Sequence, residues 1–479
     1  MMTFFEKKNK SIANLIIALA SNISAHSPTE LALNPLYKYQ YSSICDAIEN
    51  FFYKDKEKKE KEENPLDILT INLKYISKKE VELRDFLKEF FPEKSKNKFW
   101  NLNTDATSVY KEHSPTLKDK EFVHAANTVI KDNKPITIGH RLSVVGLSAR
   151  ENNIAWNLPI SMLKVPFDQK SNEFAAEQIK CIFSDKELFD TDLVVNSLDS
   201  AYCNVGYSYS SYEIQNLISI IRIAGHRNVF NIYEGEIKTG QGAKNKYGKI
   251  FKLSKVETHT KPDKIELFDW TMQNGRKCNV TVNQWNDMII SGKRNKKMYN
   301  KPFNLVSIKI IDIESQEPIY KKNLWLTVWG EKRNEINLRE IYESFRNRFD
   351  IEFFFRFGKQ KLLLNKFQTP DIKHEQNWFW IVMLSYWLLY LSRNEGENII
   401  RPWEKYNPKN KQKEVPKNET KTPTQTQRAM QTIFSDFAKN NLIPKTHNIH
   451  SGRKHGEKQI PREHFIVQKR SKKNVKLQI

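Results

Sequence analysis

The chain is 479 residues long and carries 78 Lys and Arg against 56 Asp and Glu, a formal net charge of +22. That length gives about two to four domains with a well-buried core, and that charge favours a polyanionic partner, nucleic acid ahead of an anionic membrane. The four cysteines, Cys45, Cys181, Cys203 and Cys278, are scattered without a C-x-x-C pair, which excludes a thiolate zinc site or disulfide framework by spacing and leaves reduced thiols in a cytosol as the expectation.

The N-terminal stretch KKNKSIANLIIALASNIS has the basic start and short apolar run of a leader peptide. Ile12, Leu15, Ile16 and Leu19 nevertheless recur at i, i+3, i+4 and i+7, the pattern of an amphipathic helix. Periodicity in 11–22 and 80–91 predicts a helical region over 1–95, interrupted by the charge run KDKEKKEKEEN, a solvated helix end or loop. From 96 to 234 the texture changes. FWNLNTDATSVY, KPITIGHRLSVVGLS and NIAWNLPISMLKVP read as a meander of three strands, followed by a helix near 172–189, a buried strand in DLVVNSLDSAY, and a second helix-then-strand unit. This order predicts an α/β fold, a mixed sheet flanked by helices.

Residues 235–330 break the rhythm with KTGQGAKNKYGK, which lacks the P-loop pattern and suits a DNA-contacting loop, then with strand-like LVSIKIIDI and NLWLTVW; a β-rich insertion is expected. A long helical segment resumes within 331–395 and is followed by WFWIVMLSYWLLYL, shorter than the roughly 20 residues that span a bilayer and so read as a buried helix. The segment 396–479 reads as a basic flexible tail with a short helix near 425–440. Residues 401–479 hold 19 Lys and Arg against 6 Asp and Glu, a net of 19 − 6 = +13, so most of the excess charge lies there.

The segment FRNRFDIEFFFRFGK, residues 345–359, sets Glu352 among arginines and phenylalanines. As one helix at about 100° per residue, Arg348, Glu352, Arg356 and Lys359 share a stripe with Phe345, and Asp350 faces the other way. One acid among three cations leaves positive charge over, which suits phosphate. Asp105 lies inside the first predicted strand, where aspartate is disfavoured and costly to bury alone; a hydrogen bond to Thr107 would explain it locally. Asp199 closes the buried strand, where capping the turn before Ala201 and Tyr202 would explain it. His140 in GHRLS reads as a structural histidine. Trp325 and Trp329 are candidates to stack on an extruded base, with core packing the alternative.

The order of these acids resembles DDE transposases with an RNase H-like catalytic core. Phe345, Arg348, Glu352 and Lys359 fit the Y-x2-R-x3-E-x6-K signature of one branch of bacterial insertion-sequence transposases, with Phe345 in place of the tyrosine. NTDATSV, GHRLS, LDSAY and RFDIEFFFRFGKQKL look like blocks of that family, over roughly 99–392. The resemblance implies two Mg²⁺ ions, for which Mn²⁺ can substitute, held by Asp105, Asp199 and Glu352 for in-line displacement at phosphorus. It implies phosphate contacts from Arg348 and Lys359, to which the helical projection adds Arg356. It further implies end recognition by residues 1–95, binding to double-stranded transposon ends and target, a homodimer on DNA, no membrane, and a bacterial cytoplasm with nucleoid association. The expected activity is metal-dependent cleavage of terminal inverted repeats and joining of 3′-OH ends to target DNA. The alternatives are a degenerate or domesticated DNA-binding descendant and an RNase H-like nuclease without strand transfer.

Overall fold

The computed structural model describes residues 9–51, 78–94, 98–112, 114–124, 136–151, 154–235, 246–272, 274–397, 420–434 and 461–468, together with a few single positions. The charge run 54–64, most of the KTGQGAKNKYGK loop and most of the basic tail lie outside them.

The chain opens with α1 (Asn9–Ala20), α2 (Ser42–Glu49) and α3 (78–88). The meander follows as β1 (Phe99–Tyr110), a short β2 (Glu121–His124) that the sequence reading did not anticipate, β3 (Ile136–Glu151) and β4 (Ile154–Val165). After α4 (Ser171–Ser184) and α5 (Lys186–Phe189) come β5 (Leu193–Leu198), α6 (Val205–Tyr212), β6 (Leu217–Arg222) and β7 (Asn228–Ile232). Strands β8 (Tyr247–Lys252), β9 (Lys264–Thr271), β10 (Lys277–Met288), β11 (Phe303–Asp312) and β12 (Leu324–Trp329) precede α7 (Leu338–Asn347), α8 (Asp350–Lys361), α9 (Ile372–Leu391) and α10 (Pro423–Ile433).

Ten strands form one mixed sheet among the described residues, in the order β2-β3-β1-β5-β6-β12-β11-β10-β9, with β4 also on β3. The pairs β1–β3 and β3–β4 are antiparallel, and β1–β5 and β5–β6 are parallel. Parallel neighbours need long crossovers, and α4 with α5, then α6, supply them. Strands β9–β12 do not stand apart: antiparallel pairing of β12 with β6 continues the same sheet.

Both faces are covered. On one, α4 and α6 enclose an apolar cluster with Leu198, Ile221, Trp325 and Trp329. On the other, α7 packs Ile341, Tyr342 and Phe345 onto Val195, Ile218, Val306 and Val328, while α1, α2, α8 and α9 pack beside it against β1, β3 and β4. Helix α9 is apolar around its circumference, as a helix buried on all sides must be; the Trp387 indole donates to Pro159 O at 2.8 Å and Ser385 Oγ to Ile16 O at 3.2 Å. The four periodic residues of α1 are fully buried against this helix. No helix among the described residues is long and apolar enough to cross a membrane.

One expectation is corrected. The segment 345–359 is not a single helix: α7 stops at Asn347 and α8 starts at Asp350, and the amides of Ile351 and Glu352 bond three residues back, to Arg348 O and Phe349 O. The physical reason lies at Asp350, fully buried and clamped by Arg150 of β3, whose Nη2 and Nε donate to the carboxylate at 2.7 and 2.9 Å. Docking that acid onto β3 turns the chain by a tight three-residue step between the helices.

Candidate active site

Side chains two apart on a strand share a face, so Asn103, Asp105 and Thr107 of β1 all look toward α7 and α8. Each meets that layer. Asn103 Nδ2 donates to Asn347 O at 3.1 Å, Asp105 Oδ2 lies 3.7 Å from Arg348 Nη1, and Thr107 Oγ1 accepts from Lys359 Nζ at 2.7 Å. On neighbouring β5, Ser197 Oγ donates to Ser344 O at 3.1 Å. The kinked helix pair is thus pinned at four points above the middle of β1 and the end of β5. Its own start is fixed by a capping box of Asn337 and Glu340, after Gly330 at φ +122° turns the chain out of β12, where a Cβ would meet Leu217 O at 2.3 Å.

The β1–β5 ladder places the first two acids together. Its last parallel pair is Thr104 with Leu198, so the residues that follow on each chain are Asp105, still within β1, and Asp199, just past the end of β5. The β5–β6 ladder ends with Leu198 and Ile221, and Arg222, next in line, sets Nη1 3.9 Å from Asp199 Oδ1. Glu352 joins from α8: Arg348 Nη2 reaches its Oε1 at 3.5 Å while Nη1 faces Asp105. One guanidinium therefore spans two of the three carboxylates.

The local explanations for the two aspartates do not hold. Thr107 is engaged by Lys359, and Asp105 Oδ1 accepts instead from the Ala106 amide at 2.8 Å. Asp199 precedes the short 3-10 turn Ser200–Tyr202, but its side chain makes no capping hydrogen bond. Burial pushes the Asp105 carboxyl up to about 6; the Ala106 amide and Arg348 oppose this, and the charges of Asp199 and Glu352 add to it. Burial also brings Lys359 down to about 8. Beside Asp105 a cleft of about 400 Å³ opens between Ser108, Arg141, Lys170, Asn172 and Tyr202.

The chemistry of this donor set suits a divalent cation. Hard ions take carboxylate oxygen, and a cation would offset the burial that raises Asp105 together with the smaller repulsion from Asp199 and Glu352. Among the described residues, however, no three His, Cys, Asp or Glu side chains already stand at metal-holding distances; the positive charge at the acids comes from Arg348 and Arg222.

The other expected site residues divide. Lys359 belongs to the site. Arg356 is exposed one turn beyond Glu352, over the Phe353 ring at 5.8 Å. Phe345, 3% exposed, packs into the core under α7 with Arg348 over its ring at 5.7 Å, so a direct DNA contact is corrected to a packing role. Trp325 and Trp329 are corrected likewise: both are buried in the cluster under α6, on the sheet face opposite the acids, and offer no free ring face to a base. His140 is structural as read, with Nδ1 2.6 Å from Glu375 Oε2. Two residues at the site were not singled out from sequence. Arg222 ends β6, and Tyr202, whose buried hydroxyl has no partner among the described residues, feels the charges of Asp105 and Asp199. Their only signal was adjacency to a strand end and to Asp199.

These features define a mixed α/β protein with acidic side chains gathered where the parallel β1–β5 ladder ends. No family model matches the chain, and no curated relative does. Among solved structures it is similar to the piggyBac transposase synaptic complex with hairpin DNA, determined by cryo-EM, at 10% identity and a TM-score of 0.39, over 91% of this chain and 73% of that one. A likeness that low fixes neither the details of the fold nor an activity.

Proposed function

We propose that the chain is a DNA transposase of the DDE type that cuts and joins DNA at the acid cluster. One observation carries the reading: Asp105 and Asp199 each follow directly on the last pair of the parallel β1–β5 ladder, Thr104 with Leu198, and Glu352 reaches the same guanidinium as Asp105 from a helix far along the chain. The strand order, an antiparallel meander followed by two strands parallel to the first, is consistent with an RNase H-like core. Asp105, Asp199 and Glu352 would hold two Mg²⁺ or Mn²⁺ ions, which supply an activated water or 3′-hydroxyl and charge stabilisation at phosphorus. Lys359 and Arg348 bind phosphate oxygens and orient the strand, and Arg222 holds Asp199 in place. Strands β9–β12 shape the flank of the site, the N-terminal helices supply end recognition, and the tail adds salt-dependent affinity. A bacterial insertion sequence, cut-and-paste chemistry and a homodimer on DNA complete the proposal.

A second reading has its own support. Arg348 neutralises Asp105 and Glu352 where the cations belong, as suits a descendant that binds DNA without cutting it. Incubation of the full chain with Mn²⁺ and DNA carrying the repeats that flank its gene separates the two. Cleavage that disappears in Asp105→Ala and Glu352→Ala while binding persists supports the transposase; binding without cleavage in the unmodified chain supports the descendant.

A further inference from the structure

Around the helix from Glu352, α8 turns a second face toward β9 and the turn after it. Between them lies a groove of about 1000 Å³, at the upper end of small-ligand sites, closed at one end by the start of α10. Phe349 and Phe353, 45% and 48% exposed and one helical turn apart, form one wall. Trp270 forms the other, its buried indole N–H without an acceptor among the described residues. Arg150, Arg346, Arg356 and Lys361 also line it, against one acid, Asp350, already clamped by Arg150.

We propose that this groove binds a short run of unpaired DNA nucleotides next to the acid cluster. Half-exposed rings that already carry cations, Arg348 over Phe349 at 4.7 Å and Arg356 over Phe353 at 5.8 Å, are what a single strand needs: its bases have free π-faces to stack and its phosphates seek the guanidinium groups. Paired bases in a duplex have their faces covered by their neighbours and cannot reach these rings. The charge excludes a basic or neutral peptide as the better fit. The assignment replaces Trp325 and Trp329 with residues that have accessible rings, and it deepens the transposase reading, on which its choice of DNA rests.

The test uses the full chain in EDTA, in a Glu352→Gln background, with a fluorescent oligothymidylate and a blunt duplex of equal length followed by polarisation. Loss of one stacking ring lowers single-strand affinity roughly tenfold. Phe353→Ala is therefore expected to show that loss while duplex affinity stays within about twofold, and Phe353→Trp to restore it. Phe353 is half exposed, and an unchanged melting curve shows that the fold survives. Equal single-strand binding by Phe353→Ala, a matching loss for duplex, or competition by polyglutamate as effective as by the oligonucleotide overturns the proposal. Because no cleavage is read, the groove can fail while the acids still cut, and the acids can fail while the groove still binds.

Discussion

Glu375 and Asp105 are both carboxylates drawn largely out of water against the β1–β3 pair, yet their environments push them in opposite directions. Glu375, on α9, has lost its exposure, which alone would raise it, but His140 at 2.6 Å and Lys111 at 3.0 Å hold it well below the usual carboxylate range. Asp105 has one guanidinium at 3.7 Å, too little to offset its burial, to which the charges of Asp199 and Glu352 add, and it rises. The difference separates two uses of buried charge. An acid held between a lysine and a histidine ties a helix to a sheet; a buried acid with little to offset its charge is held in a costly arrangement that suits an incoming cation.

The contrast breaks first at Glu375. Glu375→Gln leaves Lys111 and His140 buried against a neutral amide, and urea unfolding is expected to show a loss of about 3–5 kcal/mol; a loss under about 1 kcal/mol would make the cluster incidental. Next comes Asp105→Asn, which removes a buried charge that one guanidinium does not offset. Its cleavage rate is expected to fall at least about a hundredfold, with stability at pH 7 unchanged or raised.

Titration sharpens the comparison. The folded Asp105 carboxyl near 6 lies above its ordinary 3.8, so the native state binds the proton more tightly. Stability is therefore expected to fall as pH rises from about 4 to about 6, by on the order of 2 kcal/mol relative to Asp105→Asn in metal-free buffer. Glu375 runs the other way: lowered from 4.5, its contribution is present above that value and fades as pH falls, so the deficit of Glu375→Gln shrinks in acid. Parallel unfolding curves for the wild type and each variant at every pH would contradict both signs. The smallest effect concerns the insertion. Trp325, packed among the rings of Phe251, His259 and Trp285, is expected to cost about 1 kcal/mol as Trp325→Phe, seen in thermal melting, with DNA affinity unchanged.

Much of the sheet was legible. Alternation and β-branched content mark β1, β3 and β4 to within a few residues, and LVVNSL, apolar apart from Asn196 and Ser197, marks a buried strand. Strands β9 and β10 were harder to read because β9, at the sheet edge, puts exposed Ile265 and Leu267 on the face of Asp269 and Glu266 on the half-buried face of Phe268 and Trp270, so polarity does not separate inside from outside. The stripe of Arg348, Glu352 and Lys359 was readable since the i, i+4 pair of Arg348 and Glu352 persists across the kink. The kink was not: it depends on Arg150, about 200 residues away in sequence. Trp325 and Trp329 failed as base-stacking candidates for a similar reason. Strand position does not say which sheet face will be covered by α6.

The central claim is that Asp105, Asp199 and Glu352 act as one cation-holding set. It is tested most directly by titrating Mn²⁺ into the full chain on duplex DNA, counting bound ions by electron paramagnetic resonance, and repeating the count with Asp105→Asn, Asp199→Asn and Glu352→Gln. Two bound ions, with every substitution weakening or abolishing binding, is the predicted result. Binding that is absent in the unmodified chain, or identical in all four proteins, would contradict it.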